Sequence, residues 1–133
     1  MKRWLLPTLF VLLLSACQET LEERCARETR EFTEKNCPVV INRQADYQIV
    51  MDSMTFDAAS HTIGNAYTVS GVLDDSLVIA SGNARQLLLM ELKNNTHLKL
   101  YKEAGYSFRY VYHSAKEKGT QLFEATFHCS DYQ

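Results

Sequence analysis

The sequence has no excess of basic charge. Its 133 residues include 14 Lys and Arg against 16 Asp and Glu, a formal net charge of −2. Sequence-independent binding of nucleic acid requires a basic surface that neutralises phosphates, and charge-driven adhesion to anionic lipid requires one as well. We therefore expect no nucleic-acid partner, and no attachment to a membrane through surface charge.

Glycine is also scarce, with five residues in the whole chain, whereas 46% of the residues are hydrophobic and 23% are charged. This composition is typical of globular rather than disordered protein. The sequence shows no internal repeat and no linker. The length suits one domain with one hydrophobic core.

Motifs for catalysis and metal binding are missing. The chain contains no C-x-x-C, no G-x-S-x-G and no S-x-x-K, which removes the usual signals for redox chemistry, zinc ribbons and serine nucleophiles. The histidines at 61, 97, 113 and 128 include no pair at i,i+2 on a strand or i,i+4 on a helix. We expect surface or loop histidines, no metal site and no cofactor.

The beginning of the chain carries the clearest signal. Lys2 and Arg3 precede an apolar run from Trp4 to Leu14, which is shorter than the about 20 residues of a membrane-spanning helix. The tetrapeptide Leu14-Ser15-Ala16-Cys17 follows. The segment resembles a bacterial lipoprotein precursor, whose lipobox these four residues match. The resemblance implies diacylation of the Cys17 thiol, cleavage before Cys17 and acylation of the new amino terminus.

Processing of that kind determines which residues belong to the mature protein. It implies a removed signal peptide at 1–16, a lipidated N-terminus and tether at 17–22, and a single domain at 23–133. Loss of Lys2 and Arg3 leaves 12 basic against 16 acidic residues, a net charge of −4. Gln18 stands where some Gram-negative lipoproteins carry an aspartate that retains them in the inner membrane. Its presence implies the outer membrane.

If Cys17 carries lipid, three cysteines remain in an export compartment that permits disulfides. Cys25 and Cys37 would be about 18 Å apart on one helix, too far to pair. A disulfide of Cys129 with Cys37 or Cys25 is the simplest expectation. Three reduced thiols are the alternative.

Hydrophobic periodicity predicts an α+β domain with the order α-β-β-α-β-β-β, in which helices pack on one face of one antiparallel sheet. This arrangement resembles cystatin-like folds, a likeness that implies no function. The first helix is expected over residues 18–36. The predicted strands cover residues 47–56, 62–73, 97–102, 106–113 and 123–129.

The second helix is expected to begin at Asp74-Asp75-Ser76. Acidic residues there favour a helix N-terminus over a paired-carboxylate or calcium site. Gly82 interrupts the apolar stripe that follows. The helix could therefore begin only at Ser81, and a strand at Leu77–Ala80 is the alternative.

The strand at 106–113 carries an aromatic stripe. Tyr106, Phe108, Tyr110 and Tyr112 alternate with other residues and share one face. They could form a surface that binds a ligand or a protein, or they could cover the sheet beneath the helices, with their hydroxyl groups at the rim.

These observations favour a non-enzymatic, lipid-anchored protein of the bacterial cell envelope that binds another protein or supports an assembly. A small-ligand-binding lipoprotein that uses the aromatic face is the first alternative. A hydrolase is the second, and it requires a cleft in which at least two Asp, His or Ser side chains converge.

Overall fold

The computed structural model describes residues 18–133. The predicted signal peptide and Cys17 lie outside the described residues. The first element is helix α1 (Leu21–Asn36), which begins where the Thr20 hydroxyl accepts a hydrogen bond from the Glu23 N–H at 3.1 Å. Acidic residues in its first turn favour the same start. The helix predicted over 18–36 is therefore present.

Five strands and further helices follow α1. The strands are β1 (Val39–Arg43), β2 (Tyr47–Asp57), β3 (Thr62–Gly71), β4 (Ser107–Ser114) and β5 (Gln121–Phe127). Between β3 and β4 lie α2 (Ser76–Ser81), α3 (Ala84–Asn94), a 3₁₀ turn (Thr96–Leu98) and α4 (Lys99–Glu103), and the short helix α5 (Cys129–Tyr132) follows β5.

The strands form one sheet in the order β1-β2-β3-β4-β5. Neighbours are antiparallel except the central pair β3 and β4, which is parallel. The α+β class is confirmed, whereas the expectation of a purely antiparallel sheet is wrong at this pair. The helical connection from β3 to β4 returns the chain to the end where β3 began, so the two strands run in the same direction.

Two strand assignments need correction. The strand predicted at 97–102 is helical, because the 3₁₀ turn and α4 occupy it. The C-terminal region is therefore a two-stranded hairpin rather than a three-stranded meander. The edge strand β1 was missed: it has only five residues, and a register irregularity between Val40 and Asn42 interrupts its alternation.

The core lies on the face of the sheet that the helices cover. Alternating residues of β3 and β4 point into it, as the period-2 pattern predicts. The opposite face is polar and carries an Arg109–Glu124 ion pair. Core residues include Cys25, Ile63, Leu92, Tyr101, Phe108 and Phe127.

The predicted disulfide is not supported, because Cys25, Cys37 and Cys129 are all free. Cys25 is buried in the core, and burial raises the pKa of its thiol to about 11. A protonated thiol in this position behaves as a small apolar side chain. Cys37 follows the end of α1, whereas Cys129 lies beside Gly105.

None of the helices within residues 18–133 is long and apolar enough to cross a membrane.

Candidate protein-binding groove

The helices leave part of the sheet's inner face open, and the opening forms an apolar groove of about 350 Å³. Side chains of three strands, Ile49, Val69 and Tyr112, form its floor. Residues of α2 and α3 form one wall, and the edge strand β1 contributes Ile41 and Asn42. The apolar groove thus joins segments that are far apart in the sequence.

The wall of the apolar groove owes its shape to a break between α2 and α3. The Asp75 carboxylate accepts a hydrogen bond from the Leu77 N–H at 2.8 Å and starts α2, as predicted for this acidic segment. Gly82 ends α2, and Asn83 adopts a left-handed backbone with φ of 57°. Asparagine tolerates this conformation better than most residues. The chain thus forms two short helices instead of the single helix or the strand expected from the sequence.

Large apolar side chains remain exposed around the apolar groove. Leu77 is 78% exposed and Met90 is 59% exposed. Like Val72, these two residues each adjoin a lining residue in the sequence; together with the exposed lining residues Ile41 and Leu87 they form the apolar rim. Exposed apolar side chains of this size beside a groove are typical of an interaction site.

Helix α3 is apolar on two faces. Leu88 and Leu92 are 8% and 1% exposed and belong to the core. Leu87 and Met90 point away from the core and are more than half exposed. A helix that is apolar on more than one side is expected to be covered on each of them. The outer face of α3 therefore lacks a cover within the described chain.

Buried Asp74 fixes the loop that precedes α2. Its Oδ2 accepts a hydrogen bond from the Lys116 N–H at 3.1 Å, which ties this loop to the β4–β5 turn. Burial alone would raise the pKa of Asp74, but hydrogen bonds from Ser114 and from backbone N–H groups, together with the Lys116 charge, lower it overall. Asp74 thereby positions one wall of the apolar groove.

Replacement of Asp74 by alanine is expected to lower the free energy of unfolding by about 1–3 kcal/mol, because the hydrogen bond from the Lys116 N–H to this buried carboxylate is lost. Since the folded pKa lies below the unfolded value of about 3.9, the carboxylate stabilises the fold above that pH. Its contribution is lost as the pH falls through the folded pKa. Urea unfolding at pH 7 and pH 3 measures both effects.

The exposed Asp46 supplies the matched control for this experiment. Asp46→Ala should change stability by less than about 0.5 kcal/mol. Equal destabilisation by the two variants, or an Asp74→Ala effect that does not shrink at pH 3, would contradict the assigned role of Asp74.

The aromatic stripe is mostly buried. Tyr106, Phe108 and Tyr110 are 3%, 0% and 9% exposed, so they cover the sheet beneath the helices. Tyr112 is half-buried on the floor of the apolar groove, where its ring stacks on Tyr67 with centroids 4.7 Å apart. The structure therefore leaves Tyr112 as the member of the stripe that a bound molecule could contact.

Two side chains of the kind that a hydrolase requires do meet. Ser107 Oγ lies 2.9 Å from His128 Nδ1, but His128 is exposed and does not lie in a cleft. The Asp131 carboxylate accepts a hydrogen bond from the backbone N–H of His128 rather than from its ring. His128 is the N-cap of α5, and Asp131 is the third residue of that helix. A triad would require a carboxylate that orients the imidazole. The geometry is that of a helix cap.

The remaining histidines do not form a site. His61 contacts Glu22 with Nε2 2.6 Å from Oε1, and its ring stacks on Tyr106. His97 and His113 lie in the 3₁₀ turn and on β4. Across residues 18–133, no cluster of three His, Cys, Asp or Glu side chains could hold a metal ion.

The family model described as "Domain of unknown function (DUF8479)" matches residues 20–123. The chain belongs to this family. The matched range includes every residue that lines the apolar groove, so the groove is part of the DUF8479 domain. His128 and α5 lie beyond it. No curated protein sequence matches the chain.

Two solved structures share the fold of this DUF8479 protein. A protein of Pseudomonas aeruginosa described as secreted is 15% identical, with a TM-score of 0.64 over 87% of this chain and 100% of its own. The pilotin of the type 2 secretion system of Vibrio vulnificus is 8% identical, with a TM-score of 0.56 over 85% of this chain and 92% of its own. At these identities the likeness shows the fold alone.

Proposed function

We propose that this protein is a non-enzymatic lipoprotein of the cell envelope that binds a helix of another envelope protein in the apolar groove. The uncovered apolar rim carries this proposal. A small molecule inside about 350 Å³ would leave Leu77 and Met90 in water. A protein segment that spans the apolar groove could cover them, and burial of apolar surface would favour its binding.

The walls of the apolar groove favour a helix as the occupant. Its floor consists of side chains of the inner strands β2, β3 and β4. The edge strand β1 also lines the site, but the register irregularity between Val40 and Asn42 makes that edge a poor template for pairing with a bound backbone. A segment that enters such a site must satisfy its own backbone hydrogen bonds, which a helix does. The apolar side chains of a helix, spaced at i, i+3, i+4 and i+7, match a groove of this kind.

The position of the apolar groove favours a protein partner over a lipid surface. Glu22 contacts His61, so α1 begins beside the turn that precedes β3. Val69 lies seven residues along β3 from Thr62, or about 23 Å at the strand rise of about 3.3 Å per residue. Glu19 pairs with Arg27 at 2.6 Å and holds the tether against α1. An anchor at Cys17 would therefore leave the apolar groove well away from the membrane.

Lipidation at Cys17, export and an outer-membrane location follow from the N-terminal resemblance and remain part of this proposal. The solved structures support an envelope role, since one is described as a secreted protein and the other as a secretion-system pilotin. A pilotin belongs to a secretion apparatus, which makes a partner within an envelope assembly the preferred occupant here.

Photo-crosslinking in intact cells tests the proposal. A photoreactive amino acid at Val78, which lines the apolar groove, should give one discrete adduct with another envelope protein. The same amino acid at Thr55, exposed on β2, is the control and should give no such adduct. Adducts with lipid, adducts with a second copy, or identical adducts at the two positions would overturn the proposal.

Binding of a small amphiphile is the second candidate. A volume of about 350 Å³ lies within the range of roughly 300–1,000 Å³ of small-molecule sites, and Tyr112 lies on the floor as that alternative expects. Native mass spectrometry of the protein taken from membranes distinguishes a small-molecule ligand from a protein partner. A bound small molecule of defined mass, lost when Tyr112 is replaced by alanine, would favour this candidate.

A further inference from the structure

Glu91 is the one charged residue that lines the apolar groove; the other polar contributions are the Asn42 amide and the Tyr112 hydroxyl. Its side chain projects from α3 one turn after Leu87 and is exposed at the rim. A lone carboxylate in an otherwise apolar site would lose water when a partner covers it. Even partial desolvation of an unpaired charge is unfavourable, so a partner that compensates the charge of Glu91 is preferred.

The described part of the chain does not supply that compensation. None of the ion pairs formed within residues 18–133 includes Glu91. The positions one helical turn away, Leu87 and Asn95, carry no basic side chain. The carboxylate therefore faces the apolar groove as an uncompensated negative charge.

Tyr112 on the groove floor and the neighbouring core residues Tyr67 and Tyr110 do not neutralise it either. Burial raises the pKa of Tyr67, Tyr110 and Tyr112, that of Tyr110 to about 12, and the nearby charge of Glu91 adds to each increase. These tyrosines stay neutral at physiological pH and offer at most hydroxyl groups. A compensating positive charge would therefore come from the bound segment.

We propose that Glu91 determines specificity by selecting a partner helix that carries Lys or Arg beside its apolar anchors. This inference rests on the proposed function of the apolar groove. Leu87 and Glu91 are four residues apart on α3, about 6 Å along its axis. The matching helix therefore carries its basic residue three or four positions from an apolar residue that packs on Leu87.

A rim charge acts on specificity more than on affinity, because the pair stays partly solvated. Glu91 thus excludes helices with an acidic residue at the facing position and orients the helices that it accepts. The apolar contacts supply most of the affinity. Neutralising Glu91 and reversing its charge should therefore have clearly different effects on the affinity for the bound helix.

A peptide-display selection tests this inference even while the natural partner is unidentified. The probe is a library of 14-residue amphipathic helices with one randomised position flanking the apolar stripe, selected on the full protein in the form that cells produce. Binders of the wild-type protein should be enriched in Lys or Arg at that position, and binders of Glu91→Lys in Asp or Glu. Glu91→Gln should weaken the basic peptides by about two- to five-fold, and Glu91→Lys by about ten-fold or more.

A second variant distinguishes failure of the inference about Glu91 from failure of the proposed function. Peptides that bind the apolar groove should lose affinity for Leu87→Asp. If binders depend on Leu87 but show the same charge preference on wild-type and Glu91→Lys proteins, the role of Glu91 is wrong and the proposed function stands. If no selected binder depends on Leu87, the proposed function itself fails, and the inference with it.

Discussion

Leu87→Asp is expected to weaken binding of the partner helix by roughly 30-fold or more while leaving the protein folded. Leu87 lines the apolar groove and is 55% exposed, so a bound helix would bury it further; full burial of a leucine side chain contributes about 1.5–3 kcal/mol, and a charged replacement loses this contribution. The introduced carboxylate would also lie one turn from Glu91 and repel it once water is excluded. Crosslinking yield from Val78 in intact cells, or peptide affinity in solution, measures the loss.

Leu100→Asp is the matched control for this prediction. Leu100 is also an exposed leucine on a helix, at 43% exposure, but it lies on α4 and does not line the apolar groove. Both substitutions should change the free energy of unfolding by no more than about 0.5–1 kcal/mol, since each replaces an exposed side chain. If Leu87→Asp bound as well as wild type, or if Leu100→Asp lost binding equally, the apolar groove would not be the binding site.

The fold could be predicted where local chemistry and burial agree. The stripe Leu21, Cys25, Thr29 and Phe32 predicts α1, and alternation along β4 predicts its inward residues. Both predictions hold because one face of each element is buried and the other is solvated. The sequence therefore indicates the α+β class and most of its elements.

The parallel pair of β3 and β4 could not be predicted in this way. Residues 97–102 have no strong period, and whether they form a strand or a helix is decided by the surface against which they pack. Tyr101 is 5% exposed in the core, and its hydroxyl donates to Glu28 of α1 at 2.9 Å. That tertiary contact favours α4, and a helical crossover makes the next strand parallel.

The apolar groove could not be located from the sequence, because its floor and walls come from segments that only the fold brings together. One local signal did exist. The four consecutive apolar residues Leu87-Leu88-Leu89-Met90 place apolar side chains on all sides of a helix. A helix with a single buried face would bury only some of them. The buried leucine of this run and the exposed Leu87 and Met90 can be told apart only once the sheet is in place.

Cys17→Ser is expected to abolish incorporation of radiolabelled palmitate and to lower the fraction of the protein that is bound to the membrane. The thiol is the attachment point that the lipobox predicts, and the described helices include none that could span a membrane. The acidic domain would not adhere to anionic lipid on its own. Fractionation of cells and palmitate labelling measure both outcomes, and Cys37→Ser, which removes a different free thiol, should remain attached and labelled.

The Cys17→Ser variant also tests whether the lipid anchor affects binding in the apolar groove. If Cys17 carries lipid and the partner is also bound to the membrane, attachment confines both proteins to one surface and raises their effective concentration without adding a contact. Crosslinking from Val78 should therefore fall in Cys17→Ser cells, although the purified variant should bind selected peptides with unchanged affinity. A Cys17→Ser protein that stays labelled and membrane-bound would refute the anchor. Reduced peptide affinity in solution would instead show that residue 17 takes part in binding, although about 23 Å along β3 separates Thr62, next to the start of α1, from Val69 of the apolar groove.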